Sequence, residues 1–211
     1  MAIRLHQMHP ALVHLPITLL PLAVCADLLG CIIGGKSLHS FGQKAIVLAA
    51  AGAGAAAVTG LIAGEEVNVE GDARDMLMTH RNLNFAATVV AIWMAAVRSQ
   101  RKTPSALYLG VGGAGVGLLA YTAYLGGKLV YESGAGVEPA HGVYRSDAHA
   151  LGDGDAGAFF KAAAADLVHG VQHMAEEVSA GKVVPTLTAK FRKDGALAAP
   201  TKPAPVDVKK S

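Results

Sequence analysis

Four histidines lie where two apolar segments of the chain begin. His6, His9 and His14 stand at the start of the first segment, and His80 stands at the start of the third. In a bundle of antiparallel helices these two starts lie at the same end. His14 lies about one turn inside the apolar run, at a depth where a neutral imidazole still needs a partner. This end of the bundle is therefore the candidate functional site.

Histidines that face each other from two helices are a means by which membrane bundles hold a haem iron. We therefore predict one haem b with His14 and His80 as its axial ligands, and with His9 as the substitute if His14 is turned away. The alternative is that His14 is a structural histidine, hydrogen-bonded near the membrane interface.

Methionines accompany the same histidines, in the sequences HQMH and MLMTH. Thioether and imidazole ligands together suit copper, and Cu(I) in particular. A copper site is therefore an alternative to haem. The candidate metal ligands are His6, Met8, His9, His14, Met76, Met78 and His80.

Other polar residues give weaker signals. Asp27 lies within the first apolar segment, and with no second ionisable group predicted at that depth we expect it to be structural. His169 and His173 are four residues apart in the tail, a spacing that can bind a metal, but a solvated polar face is the favoured interpretation. No HExxH, CxxC or Walker-type motif is present, so we expect that the chain is not an enzyme by itself.

The composition explains where these residues must be held. The 211 residues are 52% hydrophobic and only 16% charged, whereas soluble domains are about a quarter charged. The net charge of +2 and the lack of a basic cluster argue against nucleic-acid binding. We predict an all-α, up-down four-helix transmembrane bundle over residues 1–133, in contact with membrane lipid. Its spans are expected at about 10–33, 44–63, 82–97 and 106–125.

The remaining residues, 134–211, are expected to form a polar tail outside the membrane. An amphipathic helix is predicted at about 158–179, and residues 195–211 are expected to be extended or disordered. Such a helix must dock on the membrane surface, on the bundle or on a partner, and we predict a protein partner. The apolar stripe on which this rests is Phe160, Ala164, Leu167, Val171, Met174 and Val178.

Lys and Arg residues predict the orientation in the membrane. Five of them lie at the loops after the first and third spans, whereas the four on the opposite face are mixed with five acidic residues, a modest asymmetry. This places both termini in the periplasm, with the bundle in a bacterial inner membrane.

Several motifs together resemble one bacterial membrane family. They are HPALVHLPITLLPLA at 9–23, VTGLIAG at 58–64, HRNL at 80–83 and GGKLVYESGAGV at 126–137. Over residues 1–137 the chain resembles the family of domain of unknown function 2231. The resemblance implies a four-helix plan distantly like that of haem-binding membrane b-type cytochromes. His9, His14 and His80 match the family pattern, but Glu132–Ser133 stands where members often carry a histidine.

These observations predict an integral membrane redox or electron-transfer subunit, or an accessory subunit, with one haem b at the outer face. Two alternatives remain open. One is a cofactor-free structural subunit of a larger respiratory or membrane complex, which the tail would grip. The other is a membrane protein that handles copper at its periplasmic face.

Overall fold

The computed structural model describes residues 3–67, 69–135, 150–151 and 156–192, and it is almost entirely helical. Two-residue strands β1 (Ile3–Arg4) and β2 (Ala150–Leu151) pair antiparallel. Residues 195–211, predicted to be extended, lie outside the described residues. The helices are α1 (Leu5–Leu12), α2 (His14–Ile33), α3 (Lys36–Glu66), α4 (Gly71–Ser99), α5 (Ala106–Ser133), α6 (Ala156–Ser179) and α7 (Pro185–Arg192).

Helices α1 and α2 form a nearly continuous rod with one irregular residue, Val13. Proline has no N–H, so Pro16 cannot donate to the carbonyl four residues before it. The bonds on either side persist, because Val13 N–H donates to His9 O at 3.1 Å and Ile17 N–H donates to Val13 O at 3.2 Å. The rod therefore carries His9 into the bundle without a chain reversal.

Short connections make the long helices antiparallel to their neighbours in sequence. The α2–α3 turn uses Gly34, whose φ of +73° is left-handed and whose N–H donates to Gly30 O. The first turn of α5 is capped by Ser105, whose hydroxyl accepts from Tyr108 N–H at 3.2 Å. Helix α2 packs on α3 and α5, and α4 packs on the same two helices. Thus α2 and α4 lie diagonally across an up-down four-helix bundle, which confirms the predicted architecture.

Among the described residues, three helical segments are long and apolar enough to cross a membrane, namely Met8–Ile33, Lys36–Glu66 and Ala106–Ser133. Helix α4 is equally long, at 29 residues, but its N-terminal part is polar. It belongs to the bundle through its packing, and only its later part matches the span expected at 82–97. The helices extend past the predicted spans because helical hydrogen bonding continues where the apolar run stops.

The core repeats one pattern of buried positions. We name α1–α3 the first hairpin and α4–α5 the second hairpin. Four of the six buried positions on α2 have a buried counterpart 71 residues later on α4. Five of the eleven on α3 have one 66 residues later on α5. The α2/α4 pairs are Pro16 and Ala87, Leu20 and Ala91, Ala23 and Met94, Asp27 and Arg98; the α3/α5 pairs include Ile46 and Gly112, Ala49 and Gly115, Ala53 and Leu119, Ala56 and Thr122.

The tail helices α6 and α7 pack against the bundle. Phe159 on α6 is buried against Ile62 of α3. Glu177 forms ion pairs with Arg74 and Arg81 of α4. Asn82 donates to the carbonyl of Val183, just before α7, at 2.8 Å. The tail therefore docks, at least in part, on its own bundle.

The face of α6 that meets the bundle differs from the predicted stripe. Phe160 is 66% exposed, whereas its neighbour Phe159 is 5% exposed. Val171 and Val178 are also exposed. The apolar sector of α6 is wide enough to form two adjacent faces, one that packs on the bundle and one that points outward. The stripe predicted from spacing lies mostly on the outward face.

Candidate two-histidine site

His9 and His80 meet at one end of the bundle. His9 lies on α1, which continues into α2, and His80 lies in the N-terminal third of α4, so they come from diagonally opposed helices. Their ring centres are 6.5 Å apart, and the ring planes are perpendicular, at 89°. The hairpin repeat makes them equivalent residues, because they are also 71 residues apart.

Each imidazole is held by a backbone carbonyl of the helix that follows it. His9 Nδ1 is 2.9 Å from Ala56 O on α3, and His80 Nδ1 is 2.9 Å from Thr122 O on α5. A carbonyl only accepts hydrogen bonds, so in both rings Nδ1 carries the hydrogen. In the neutral rings Nε2 then carries the lone pair. This arrangement, with Nδ1–H fixed and Nε2 available, is the one that metal-bound histidines adopt.

Two glycines allow the rings to lie against the neighbouring helices. A Cβ atom at Gly60 would be 2.8 Å from His9 Cε1, and one at Gly126 would be 3.0 Å from His80 Cε1. Each glycine follows the carbonyl that binds the ring by four residues, one turn of helix. The two halves of the site are thus the same unit used twice: a histidine, a carbonyl and a glycine.

Asn84 distinguishes the two halves. Its side-chain amide is 3.2 Å from His80 Nε2 and donates to His80 O at 2.8 Å. The equivalent residue of the first hairpin is Val13, which has no polar side chain. His80 Nε2 therefore accepts a hydrogen bond from Asn84, and the amide must turn away before this nitrogen can bind a metal.

His14 lies on the outer surface of the bundle. It is exposed, and its Nδ1 is 3.3 Å from Ala11 O in its own helix. His9 and His14 are five residues apart, which separates them by about 140° around a helix, so both cannot face the interior. The structure brings His80 together with His9, the residue expected as a substitute, and not with His14.

The methionines of the copper hypothesis are dispersed. Met8 is 37% exposed, Met78 is buried, and Met76 is half-buried. The His6 side chain lies outside the described part of the structure. Within the described ranges, no group of three or more His, Cys, Asp or Glu side chains is arranged to hold a metal ion. A copper site stays a prediction.

A second polar cluster lies at the opposite end of the bundle, around Asp27. The Asp27 carboxylate accepts from Arg98 Nε at 2.9 Å and from Arg98 Nη2 at 2.8 Å. His39 Nδ1 is 3.1 Å from the same carboxylate. The expectation that Asp27 has no ionisable neighbour at its depth is wrong, because an arginine side chain at a helix end is long enough to reach inward.

A sequence signal for this pair exists. Asp27 follows His9 by eighteen residues, and Arg98 follows His80 by eighteen residues. One repeat thus positions both pairs, which are separated along the bundle by roughly 27 Å of helix. The two clusters are too far apart to form one site.

In the tail, His173 faces the bundle and not only solvent. Its Nδ1 lies 3.1 and 2.9 Å from the two carboxylate oxygens of Glu65 at the end of α3. His173 remains 48% exposed, so this contact is peripheral. It nevertheless joins α6 to the end of the bundle that carries His9 and His80.

Fold and site together define a helical membrane protein with a paired-histidine centre at one end and a buried ion pair at the other. The chain belongs to the family described as predicted membrane protein DUF2231, whose model matches residues 5–139. The match includes helices α1 to α5 and both polar clusters, and it ends before α6. No curated protein and no solved structure matches the chain. At the family's closing element, Glu132 is exposed and pairs with Lys128 at 3.2 Å.

Proposed function

We propose that this protein is a membrane electron-transfer or redox-accessory subunit that binds one haem b between His9 and His80. The observation that carries the proposal is the pair of neighbouring, mutually perpendicular imidazoles, each with Nδ1 bound to a helix carbonyl. His9 and His80 would hold the iron through their Nε2 atoms, because Nδ1 of each ring is engaged by a backbone carbonyl.

The residues around the pair have definable tasks in such a site. The carbonyls of Ala56 and Thr122 fix the tautomer and the direction of each ring. Gly60 and Gly126 let the rings approach the backbone. A bound haem would supply one-electron exchange, and the surrounding bundle would keep water from the iron. The proposal involves no substrate turnover by this chain alone.

The test is a reduced-minus-oxidised spectrum of protein purified from haem-supplemented cells. We expect a b-type alpha band in the wild type and in H14A, and its loss in H9A and H80A. Exogenous imidazole should restore part of the band in H9A, which separates a lost ligand from a lost fold. A wild-type protein without haem absorption, or an H14A variant that alone loses the band, would contradict the ligand assignment.

Metal analysis of the same preparations tests the copper alternative. Copper that is bound by the wild type and lost on joint replacement of Met8, Met76 and Met78 would favour it over haem.

We further propose that the membrane is the bacterial inner membrane and that the two-histidine end faces the periplasm. Lys36 and Lys44 lie at the Asp27 end of the bundle, as do Arg101 and Lys102, which supports a cytoplasmic position for that end. Labelling of single cysteines in intact cells tests this. A cysteine at Gln100 should be protected from a membrane-impermeant reagent, and one at Glu70 should react.

A further inference from the structure

Helix α6 presents an exposed apolar face that the bundle does not cover. Its sectors follow from about 100° of rotation per residue. Phe159, Ala163 and Leu167 pack towards α3. Adjacent to them around the helix are Phe160, Val168 and Val171, which are 66%, 54% and 46% exposed. The remaining sector is polar. The outward apolar face is therefore continuous with the face that docks on the bundle.

The contacts of α6 show that it runs across α3 and not along it. Phe159 and Gly170 are eleven residues apart, roughly 16 Å of helix. They nevertheless meet adjacent residues of α3: Phe159 packs on Ile62, and a Cβ at Gly170 would be 3.1 Å from Leu61 O. Since α3 is a candidate membrane span, a helix that crosses it steeply lies close to the membrane plane.

The same contacts show which side of α6 points towards the centre of the membrane. His173, at the edge of the polar sector, pairs with Glu65 at the end of α3. Gly170, nearer the apolar sector, meets Leu61, one turn further inward. The polar sector of α6 therefore lies nearer the end of α3, and its apolar sector lies nearer the centre of the membrane. One turn further inward on that face of α3, Val58 is exposed on the apolar surface of the bundle.

We propose that α6 is an interfacial helix whose outward apolar face, Phe160, Val168, Val171 and Val178, inserts among the lipid acyl chains beside the bundle. Its polar sector, with Lys161, His169, Gln172 and Glu176, faces the headgroups and water. A helix with one apolar and one polar face binds a membrane in this orientation. The occupant of the exposed face is lipid, because the face continues the lipid-facing surface of α3.

The test uses the full chain in vesicles of phosphatidylethanolamine and phosphatidylglycerol. Cys25 and Cys31 are exposed, so both are first replaced by alanine. An environment-sensitive fluorophore is then attached at V171C and, as a matched control on the adjacent polar sector, at Q172C. Lipids brominated in the upper acyl chain should quench the V171C label severalfold more strongly than the Q172C label.

A second pair, F160C and K161C, repeats the comparison near the N-terminal end of α6. Failure of one variant to fold then does not decide the outcome. Equal quenching within both pairs would overturn the proposal. A blue-shifted V171C label that brominated lipid does not quench would also overturn it, since the face would then be covered by protein. Loss of haem in the H9A variant has no bearing on either result.

Discussion

Replacing Asp27 by alanine would leave the Arg98 guanidinium buried without the carboxylate that now binds it. The side chains are 0% and 1% exposed. Removing one member of a buried ion pair costs about 3–5 kcal/mol, because the remaining charge keeps its desolvation penalty. Arg98 would retain hydrogen bonds to the carbonyls of His39 and Arg101, which offset part of this loss. We therefore expect D27A to lower the free energy of unfolding by about 3 kcal/mol.

The assay is equilibrium unfolding in mixed micelles, with SDS as the denaturant and circular dichroism as the signal. D27A, R98M and the double variant D27A/R98M complete a cycle with the wild type. The double variant contains neither charge, so we expect it to be less destabilised than the sum of the single variants by about 2–3 kcal/mol. Additive losses, or a loss under about 1 kcal/mol in D27A, would refute the view that the pair is one coupled unit.

Three further outcomes are expected. If the proposed haem is bound, G60A should weaken its alpha band and cost about 1–3 kcal/mol, because the new methyl group collides with an imidazole. A Cβ at Gly64 meets nothing within 4 Å, so G64A should leave both properties unchanged. N84A should keep the proposed haem or bind it more tightly, because the amide that competes for Nε2 of His80 is gone. Loss of haem from N84A but not from the wild type would show that the amide is required. E177Q should raise the undocked fraction of the tail helix several-fold, because loss of such partly exposed pairs costs about 1 kcal/mol, and limited proteolysis should then cleave α6 faster. Unchanged cleavage would mean that apolar contacts alone dock the tail.

The four-helix plan follows from the sequence because bilayer thickness sets a length that apolar segments must reach. The least apolar of them, α4, shows the weakness of that signal. Its place in the bundle comes from a buried stripe of Ala87, Ala91 and Met94 on an otherwise mixed surface. Average hydropathy does not detect such a stripe. Comparison with α2 does, because four of the buried positions of α2 recur 71 residues later on α4.

The site was only partly predictable. Sequence placed His9, His14 and His80 at one end correctly, since alternation of the helices decides that. The choice between His9 and His14 depends on how the first helix is rotated about its axis. The sequence does not show this rotation when apolar residues lie on all sides of the helix. The pairs with Gly60 and Gly126 do encode it, because a glycine is required where an imidazole lies on the backbone.

The tail was harder to predict for a different reason. Spacing identified an amphipathic helix, but not which of two adjacent apolar faces would be buried. Docking on the bundle is decided by contacts remote in sequence, such as Gly170 with Leu61 and Glu177 with Arg81. No local pattern records these partners.

The ion pair between the hairpins also determines which halves can associate. Two hairpins that share much of their inward-facing pattern could in principle pair like with like between two copies of the chain. Two first hairpins would then bring two Asp27 carboxylates together, and two second hairpins would oppose two Arg98 guanidiniums. Like charges in a buried layer strongly disfavour both arrangements, whereas the unlike pair is satisfied. Because equivalent positions carry an acid in one hairpin and a base in the other, the two halves are complementary. This difference in charge directs each first hairpin to a second one.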